Sequence, residues 1–313
     1  MFSRSRLLAG AAATAAALAA RAASADLPTV RVCIIPIEPS CLPYYAQANG
    51  FFGKAGINVV VEQNPASPAI AAALVAGSYD VGYATVPTLA EAHAKGLPFR
   101  IIAPDGLIGP GIVIGGIVVA TQSPIRTAHD LNGKTFGCSG LKTSAEYELR
   151  AWVDKHGGDS MTCKFIEIPF PEIADAIAAG RVDSGYLVEP FLTIATKRNL
   201  VRMLATGDDA IAPTYLASAW YATEPWINAN PAVVTAFASC IEQAARWANA
   251  NPAKVIAIID ANLKVDPTLM AEIPRTVYTD RLVESQIQPW IDITARYGKF
   301  ASFPAADLLY RRR

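Results

Sequence analysis

The sequence predicts an α/β protein built as two similar lobes, and three observations carry that reading. From residue 29 onward, short β-branched runs alternate with Ala-rich helical runs, the rhythm of a mostly parallel sheet covered by helices. The Gly-rich stretch at residues 106–116 (GLIGPGIVIGG) breaks the rhythm where a chain would cross between lobes; its plainer reading is a glycine-rich strand pair. Residues 73–83 (ALVAGSYDVGY) and 176–186 (AIAAGRVDSGY) share one order of helix end, Gly cap, Asp, strand and Tyr.

The first strand is read at residues 30–37. It runs into the turn-forming loop Glu38-Pro39-Ser40-Cys41-Leu42-Pro43, then a helix at 43–49 halted by Asn49-Gly50. A β-branched strand follows at 56–62, a helix at 67–76 stopped by Gly77, a strand at 81–84, a helix at 87–94 closed by Lys95-Gly96, and a strand at 100–103. Beyond the Gly-rich crossing come a strand at 117–121 and a short helix at 124–132, with Gly133 as its C-cap. A strand at 134–138, a helix at 143–155, a strand at 162–168, a helix at 171–179 and a strand at 184–188 complete the second lobe. The chain crosses back near 213–215, and 218–223 reads as a strand of the first lobe. Helices at 231–250, at 252–263 and from 266 onward wrap that lobe. The domain assignment is therefore 26–108 with 216–313 for lobe one and 109–215 for lobe two.

Residues 1–25 read as an export signal rather than structure. Arg4 and Arg6 are basic, residues 7–20 are apolar, and Ala23-Ser24-Ala25 is a small-x-small cleavage site. Arg4 and Arg6, split by Ser5, leave the general and twin-arginine routes both open. No Cys stands at the cleavage point, which argues against a lipid anchor. Cleavage removes Arg4, Arg6 and Arg21 and leaves 24 basic against 27 acidic residues. A slightly acidic body argues against nucleic acid and anionic membrane as partners. A periplasmic protein of about 288 residues has room for two lobes.

Five cysteines (33, 41, 138, 163, 240) are an odd number for an oxidising compartment. Cys138 and Cys163 fall on neighbouring predicted strands, so a disulfide between them is left to geometry, against the plainer reading of small buried apolar residues. With no CxxC and three scattered His, no metal site and no cofactor are expected. The chain carries no GxSxG, HExxH or P-loop, so an enzyme is not expected.

Five segments in order, LPYYAQANGFFGKAGINVVV, AAALVAGSYDVGYAT, SPIRTAHDLNGKTFG, AAGRVDSGYLVEPF and WYATEPWINANPAVVTAF, span nearly the whole mature chain. In them the chain resembles the periplasmic solute-binding proteins of ABC importers, in the group that includes alkanesulfonate, taurine, nitrate and thiamine-pyrimidine binders. The resemblance implies an α/β, two-lobed type II periplasmic binding fold with a hinged interlobe cleft. It further implies a monomer that captures a small-molecule ligand and hands it to an inner-membrane permease. A ligand-loaded sensor of a membrane receptor is the alternative, with a periplasmic enzyme on the same fold behind it.

In open α/β sheets a ligand sits at strand C-termini and helix N-termini. Four such places exist. The first supplies Glu38, Ser40, Cys41 and Tyr44, and the second Thr85 and Thr88, where a strand meets a helix. The third supplies Gly140, Lys142, Thr143 and Ser144 at a helix N-terminus suited to an anion, with plain N-capping by Thr143 as the competing reading. The fourth supplies Tyr186 and Glu189, where Glu189 reads either as a ligand contact or as a loop-orienting group. Tyr215, with Tyr44, Tyr45, Tyr83 and Tyr186, is a candidate for an aromatic wall. If Glu38 and Glu189 both reach the pocket, a zwitterion or heterocycle fits better than a plain anion.

Overall fold

The structure, a computed structural model, describes residues 27–65 and 67–311. The export signal lies outside the described residues. Strand β1 (Thr29–Ile34) is buried from Val32 to Ile34. A 3-10 turn over Glu38–Cys41, helix α1 (Leu42–Ala48) and the single turn α2 (Phe51–Lys54) connect it to β2 (Asn58–Gln63). Helix α3 (Ser67–Val75), β3 (Val81–Thr85), α4 (Val86–Ala94) and β4 (Phe99–Pro104) follow. The Gly-rich stretch contains β5 (Gly106–Ile108) and the start of β6 (Gly115–Ala120).

The second half of the chain first runs β7 (Thr135–Cys138), α5 (Ser144–Lys155), β8 (Lys164–Glu167), α6 (Phe170–Ala178), β9 (Ser184–Val188), α7 (Phe191–Lys197) and β10 (Val201–Ala205). It returns through β11 (Tyr215–Leu216) to β12 (Ser218–Thr223) and α8 (Glu224–Ala229). Helices α9 (Pro231–Ala250), α10 (Pro252–Leu263) and α11 (Pro267–Glu272), strand β13 (Val277–Tyr278) and helix α12 (Glu284–Gly298) complete it. Helices α9, α10 and α11 start at a proline, whose fixed φ suits the first helical position.

Two five-stranded sheets result, ordered β2-β1-β3-β12-β4 and β8-β7-β9-β6-β10. Their pairings correspond strand for strand. In each, the first three strands are parallel and the fourth is antiparallel to both neighbours. The reversed strand is the one arriving from the other lobe, β12 in the first sheet and β6 in the second. Four strands of each sheet thus run one way, so the parallel expectation fails only at the crossover strand. The crossings themselves pair: β5 lies between β11 and β13, antiparallel to both. The two strands of the Gly-rich segment, β5 and β6, therefore lie in different sheets, as in a crossing and not as a strand pair. Apolar residues cover both faces of the second sheet, against α5 on one side and α6 and α7 on the other.

The repeated sequence unit is a repeated structural unit. Gly77 (φ 73°) and Gly180 (φ 71°) end α3 and α6 in the left-handed region. Asp80 then accepts from the Arg31 N–H at 2.8 Å, and Asp183 accepts from the Thr135 N–H at 2.8 Å. Each carboxylate ties its joint to the start of the neighbouring parallel strand. A Cβ at Gly82 would stand 2.8 Å from the ring of Tyr221 on the paired strand β12 and 3.0 Å from Ile70 on α3, and one at Gly185 2.6 Å from Ile173 on α6, so both strands lie tight against their covering helices. One residue further on stand Tyr83 and Tyr186.

Three expectations need correction. The helix read at 124–132 is only a 3-10 turn at His129–Leu131. The Asp130 carboxylate accepts from the N–H groups of Arg126 and Thr127 and from the Thr127 hydroxyl, a local arrangement that competes with helix. Helix α7 and strand β10 went unread, because their apolar run carries no Gly or Pro break. The turn between them is made by Asn199 at φ 56°. The Cys138–Cys163 disulfide does not form: all five cysteines are free and buried. Burial raises the pKa of each thiol, which keeps it un-ionised and unreactive.

Candidate functional site

A cavity of about 80 Å³ lies between the two sheets, walled by both. From the first sheet and its connections come Ile35, Ile37 and Pro39 beyond β1, Tyr83 and Thr85 on β3, and Ser218 on β12. From the second come Ser139 beyond β7, Thr143, Ser144 and Glu148 at the start of α5, Phe170 at the start of α6, and Tyr186 and Val188 on β9. Tyr215 from the returning crossing and Trp290 from α12 close it. The positions follow from the topology, since the parallel strands of both sheets end at this cleft. The repeated unit sends one tyrosine to it from each lobe.

Five of the thirteen sequence candidates line this cavity: Thr85, Thr143, Ser144, Tyr186 and Tyr215. Thr88 stands behind Thr85, the two hydroxyl oxygens 3.1 Å apart. The Thr143 hydroxyl donates to the Gly140 carbonyl at 2.8 Å and makes no helix cap, so Gly140 acts through its carbonyl. Ser40 donates to the carbonyls of Ile35 and Ile37, and Cys41 is buried behind it. Tyr44 is held by Gln63 at 2.9 Å, away from the cavity lining. Lys142 is exposed, and its ammonium lies 3.7 Å from Glu91 rather than on the lining.

Glu38 and Glu189 are both buried and both occupied. Glu38 accepts from the Thr276 N–H at 3.3 Å and from the Thr276 hydroxyl. Burial pushes its carboxyl up to about 7, against the opposing pull of Thr276 and Arg275. Glu189 accepts from the Thr193 N–H at 3.1 Å and its hydroxyl at 2.8 Å, in the first turn of α7. It faces a separate depression with Leu192 and Pro274. Glu189→Ala should therefore cost about 1 kcal/mol of stability as a lost cap, measured by denaturant unfolding. Unchanged stability with weakened ligand binding would return Glu189 to the ligand site.

Sequence reading missed Glu148, Ser218, Phe170 and Trp290. Glu148 had a signal: it stands four residues after Ser144, on the helix face that Ser144 turns to the cleft. It is 2 % exposed, and its Oε1 has no hydrogen-bond partner. Burial and then the Asp208 carboxylate raise its pKa well above the ordinary glutamate range, with the Tyr186 hydroxyl pulling the other way. Asp208 is itself raised by burial while accepting from the Tyr215 hydroxyl at 2.7 Å. Deeper in lobe one, Asp105 accepts from Ser218 at 2.9 Å and from the Trp220 N–H at 3.1 Å, and burial pushes it up to about 8. The lining holds no Lys, Arg or His. Among the described residues no group of three His, Cys, Asp or Glu side chains is placed to hold a metal ion. None of the described helices is long and apolar enough to cross a membrane.

The lobes are clasped on both sides of the cavity. The Tyr147 hydroxyl on α5 donates to the buried Glu91 carboxylate on α4, which also has Lys95 at 3.3 Å. Tyr297 on α12 donates to Asp154 on α5 at 2.8 Å. On the other side Lys197 pairs with Glu272 at 2.5 Å, and the Glu38 N–H reaches the Glu189 carbonyl at 3.4 Å.

Solved structures share this architecture. The ligand binding component of an ABC-type import system from Staphylococcus aureus superposes with a TM-score of 0.76 at 14% identity, covering 90% of this chain and 96% of its own. The nitrate-binding protein NrtA from Synechocystis PCC 6803 gives 0.74 at 16% identity, covering 90% and 85%. The aliphatic sulphonate binding protein SsuA from Escherichia coli gives 0.72 at 18% identity, covering 91% and 94%. At such identities the likeness establishes the fold, a two-lobed periplasmic binding protein fold. No curated protein sequence matches the chain significantly. The sequence profile described as NMT1/THI5 like matches residues 40–255, more than two thirds of the chain. With that match and the shared two-lobed fold, the chain belongs to the NMT1/THI5-like family.

Proposed function

We propose that this protein is the periplasmic solute-binding component of an ABC importer, capturing a small organic ligand between its lobes and delivering it to a membrane permease. The carrying observation is the cavity walled by both sheets, with Tyr83 and Tyr186 from the repeated unit on its two sides. A ligand held by both lobes has differential affinity for the closed form, the condition for closure on binding. The clasp at Glu91 and Tyr147 supports the same reading, because a permease that recognises the closed form needs closure to be reversible but well defined. The fold neighbours, whose names are those of binding components of import systems, also support it. No residue pair on the lining has the arrangement of a nucleophile with its base.

The test is a thermal-shift screen of the mature chain, unfolded and refolded to strip carried ligand. Its panel holds sulfonates, taurine, nitrate, aromatic acids, amines and pyrimidines. A ligand at 100 times its Kd should add about 2.7 kcal/mol and raise Tm by several degrees. X-ray scattering of the bound protein should show a smaller radius of gyration. Absence of any shift across the panel would count against solute capture.

A further inference from the structure

We infer, resting on the lobes closing around a solute, that Glu38 of lobe one and Glu189 of lobe two form a proton-operated latch across the lobe seam, holding while Glu38 keeps its proton and loosening when both carboxyls are ionised. The two residues meet where the lobes touch: the Glu38 N–H reaches the Glu189 carbonyl at 3.4 Å. Both are buried, at 1 % exposure each. Thr276 bonds the Glu38 carboxyl and Thr193 the Glu189 carboxyl, each from the carboxyl's own lobe. Neither carboxyl has its hydrogen-bond partner on the far side, so the two act on each other across the seam through charge.

One cation faces the pair. Arg275, between α11 and β13, draws both carboxyls toward ionisation, and its buried Nη1 has no hydrogen-bond partner. Lys197 lies on the same depression as Glu189 but pairs with Glu272 at 2.5 Å. The other ionisable groups around Glu38 are Asp105 after β4, Cys41 and Tyr45 on its own side, Tyr83 on β3 and Tyr278 on β13, and none carries positive charge. One guanidinium does not balance two buried carboxylates. With Glu38 protonated, Arg275 faces Glu189 alone, and their attraction draws the lobes together. With Glu38 ionised, Arg275 is shared and Glu38 repels Glu189 across the seam. Parting the lobes removes Glu189 and admits water to Glu38, so the open form gives up the proton more readily. In the closed form burial, with a smaller push from Glu189, raises Glu38 to about 7 against Thr276 and Arg275. A group raised in the closed form favours closure at acid pH, and that contribution is lost as pH rises through about 7. Asp105 is bonded by Ser218 and Trp220 within lobe one, so its proton does not report on the seam.

The experiment uses the refolded mature chain without solute. Val75→Cys and Met161→Cys place nitroxide labels at exposed positions on opposite lobes, and the five native thiols are buried. Interlobe distances are read by pulsed electron paramagnetic resonance from pH 5.5 to 8.5, with far-UV spectra showing that the chain stays folded. The ratio of closed to open form should fall by about tenfold across that range, the effect of one pKa unit between the two forms, with its midpoint near pH 7. Glu38→Gln, carrying the same labels, should hold the closed distance throughout. If Glu38→Gln does not fold, Glu189→Gln decides: its response should be clearly smaller than that of the wild type, since Glu38 then meets no charge across the seam. Equal distances at pH 5.5 and 8.5 in folded wild type, or a full response in the glutamine variant, overturn the latch and leave solute capture standing. Because no solute is present, failure of the thermal-shift panel overturns solute capture without touching the measured response of the lobes.

Discussion

Ligand-free protein should lose stability steadily as pH rises from about 5 to about 8, the reverse of what paired surface carboxylates produce. The cause lies in Glu38 and Asp105, both fully buried, whose carboxyls burial pushes up to about 7 and about 8 from ordinary values of 4.5 and 3.8. Between those limits the folded chain keeps protons that the unfolded chain has released. Folding then binds protons, and stability falls with rising pH across that window. Below about pH 4 both states are protonated and the penalty is absent. For Glu38 alone the displacement corresponds to roughly 3 kcal/mol. Glu148, Glu189 and Asp208 are raised as well and act with the same sign. Asp154, Asp209 and Asp280 are lowered, and their contribution is lost only as the medium becomes more acid than the ordinary aspartate range. Urea unfolding of ligand-stripped protein at pH 5, 6.5 and 8, at one ionic strength, measures the effect. Glu38→Gln keeps an oxygen for Thr276 and removes the titrating proton, so its profile should be distinctly flatter. Equal stability of the wild type at pH 5 and pH 8 would refute the buried-carboxyl account.

Tyr147→Phe should open the lobes. The Tyr147 ring is buried against Tyr297, at 6.4 Å between centroids, and phenylalanine preserves that packing. What is lost is the hydroxyl that donates across the cleft to the buried Glu91 carboxylate. A hydrogen bond to a charged group contributes about 1.5–3 kcal/mol. Here it contributes only when the lobes are together, because Glu91 and Tyr147 belong to different lobes. Its loss shifts the equilibrium toward the open form, and apparent affinity falls with the population of the closed form, by about tenfold or more. X-ray scattering should show a larger radius of gyration for the ligand-free variant, with its far-UV spectrum unchanged. The Lys142–Glu91 contact at 3.7 Å should matter much less, since its half-solvated ammonium gains little from its partner. Identical radii and affinities in wild type and Tyr147→Phe would mean that Glu91 and Tyr147 serve stability alone.

The local text was most legible where Pro and Gly punctuate it. Strands β9 and β12 and helices α9 and α10 fall at the residues the sequence indicates, because a proline or a polar turn residue marks each start and the apolar run sets each length. The repeated Gly-x-x-Asp-x-Gly-Tyr segment was also legible, and with it the likeness of the two sheets and the place of Tyr83 and Tyr186. Where a non-glycine residue makes the turn, as at Asn199, or a carboxylate competes for backbone donors, as at Asp130, periodicity misled.

By itself the sequence determined the two-lobed α/β plan and the loops that face the cleft, since both follow from local propensity and chain order. Only the tertiary structure decided which polar groups those loops leave available. The sequence left Glu38 open to a ligand and Glu189 open to a ligand or a loop-orienting role; the fold brings Thr276, 238 residues away, to Glu38 and Thr193 to Glu189. Glu148 drew no reading from the sequence, and only the fold buries it, against Gly207, with one oxygen unpaired. Burial and hydrogen-bond partnership are properties of distant segments brought together, and a carboxyl's charge and function depend on both.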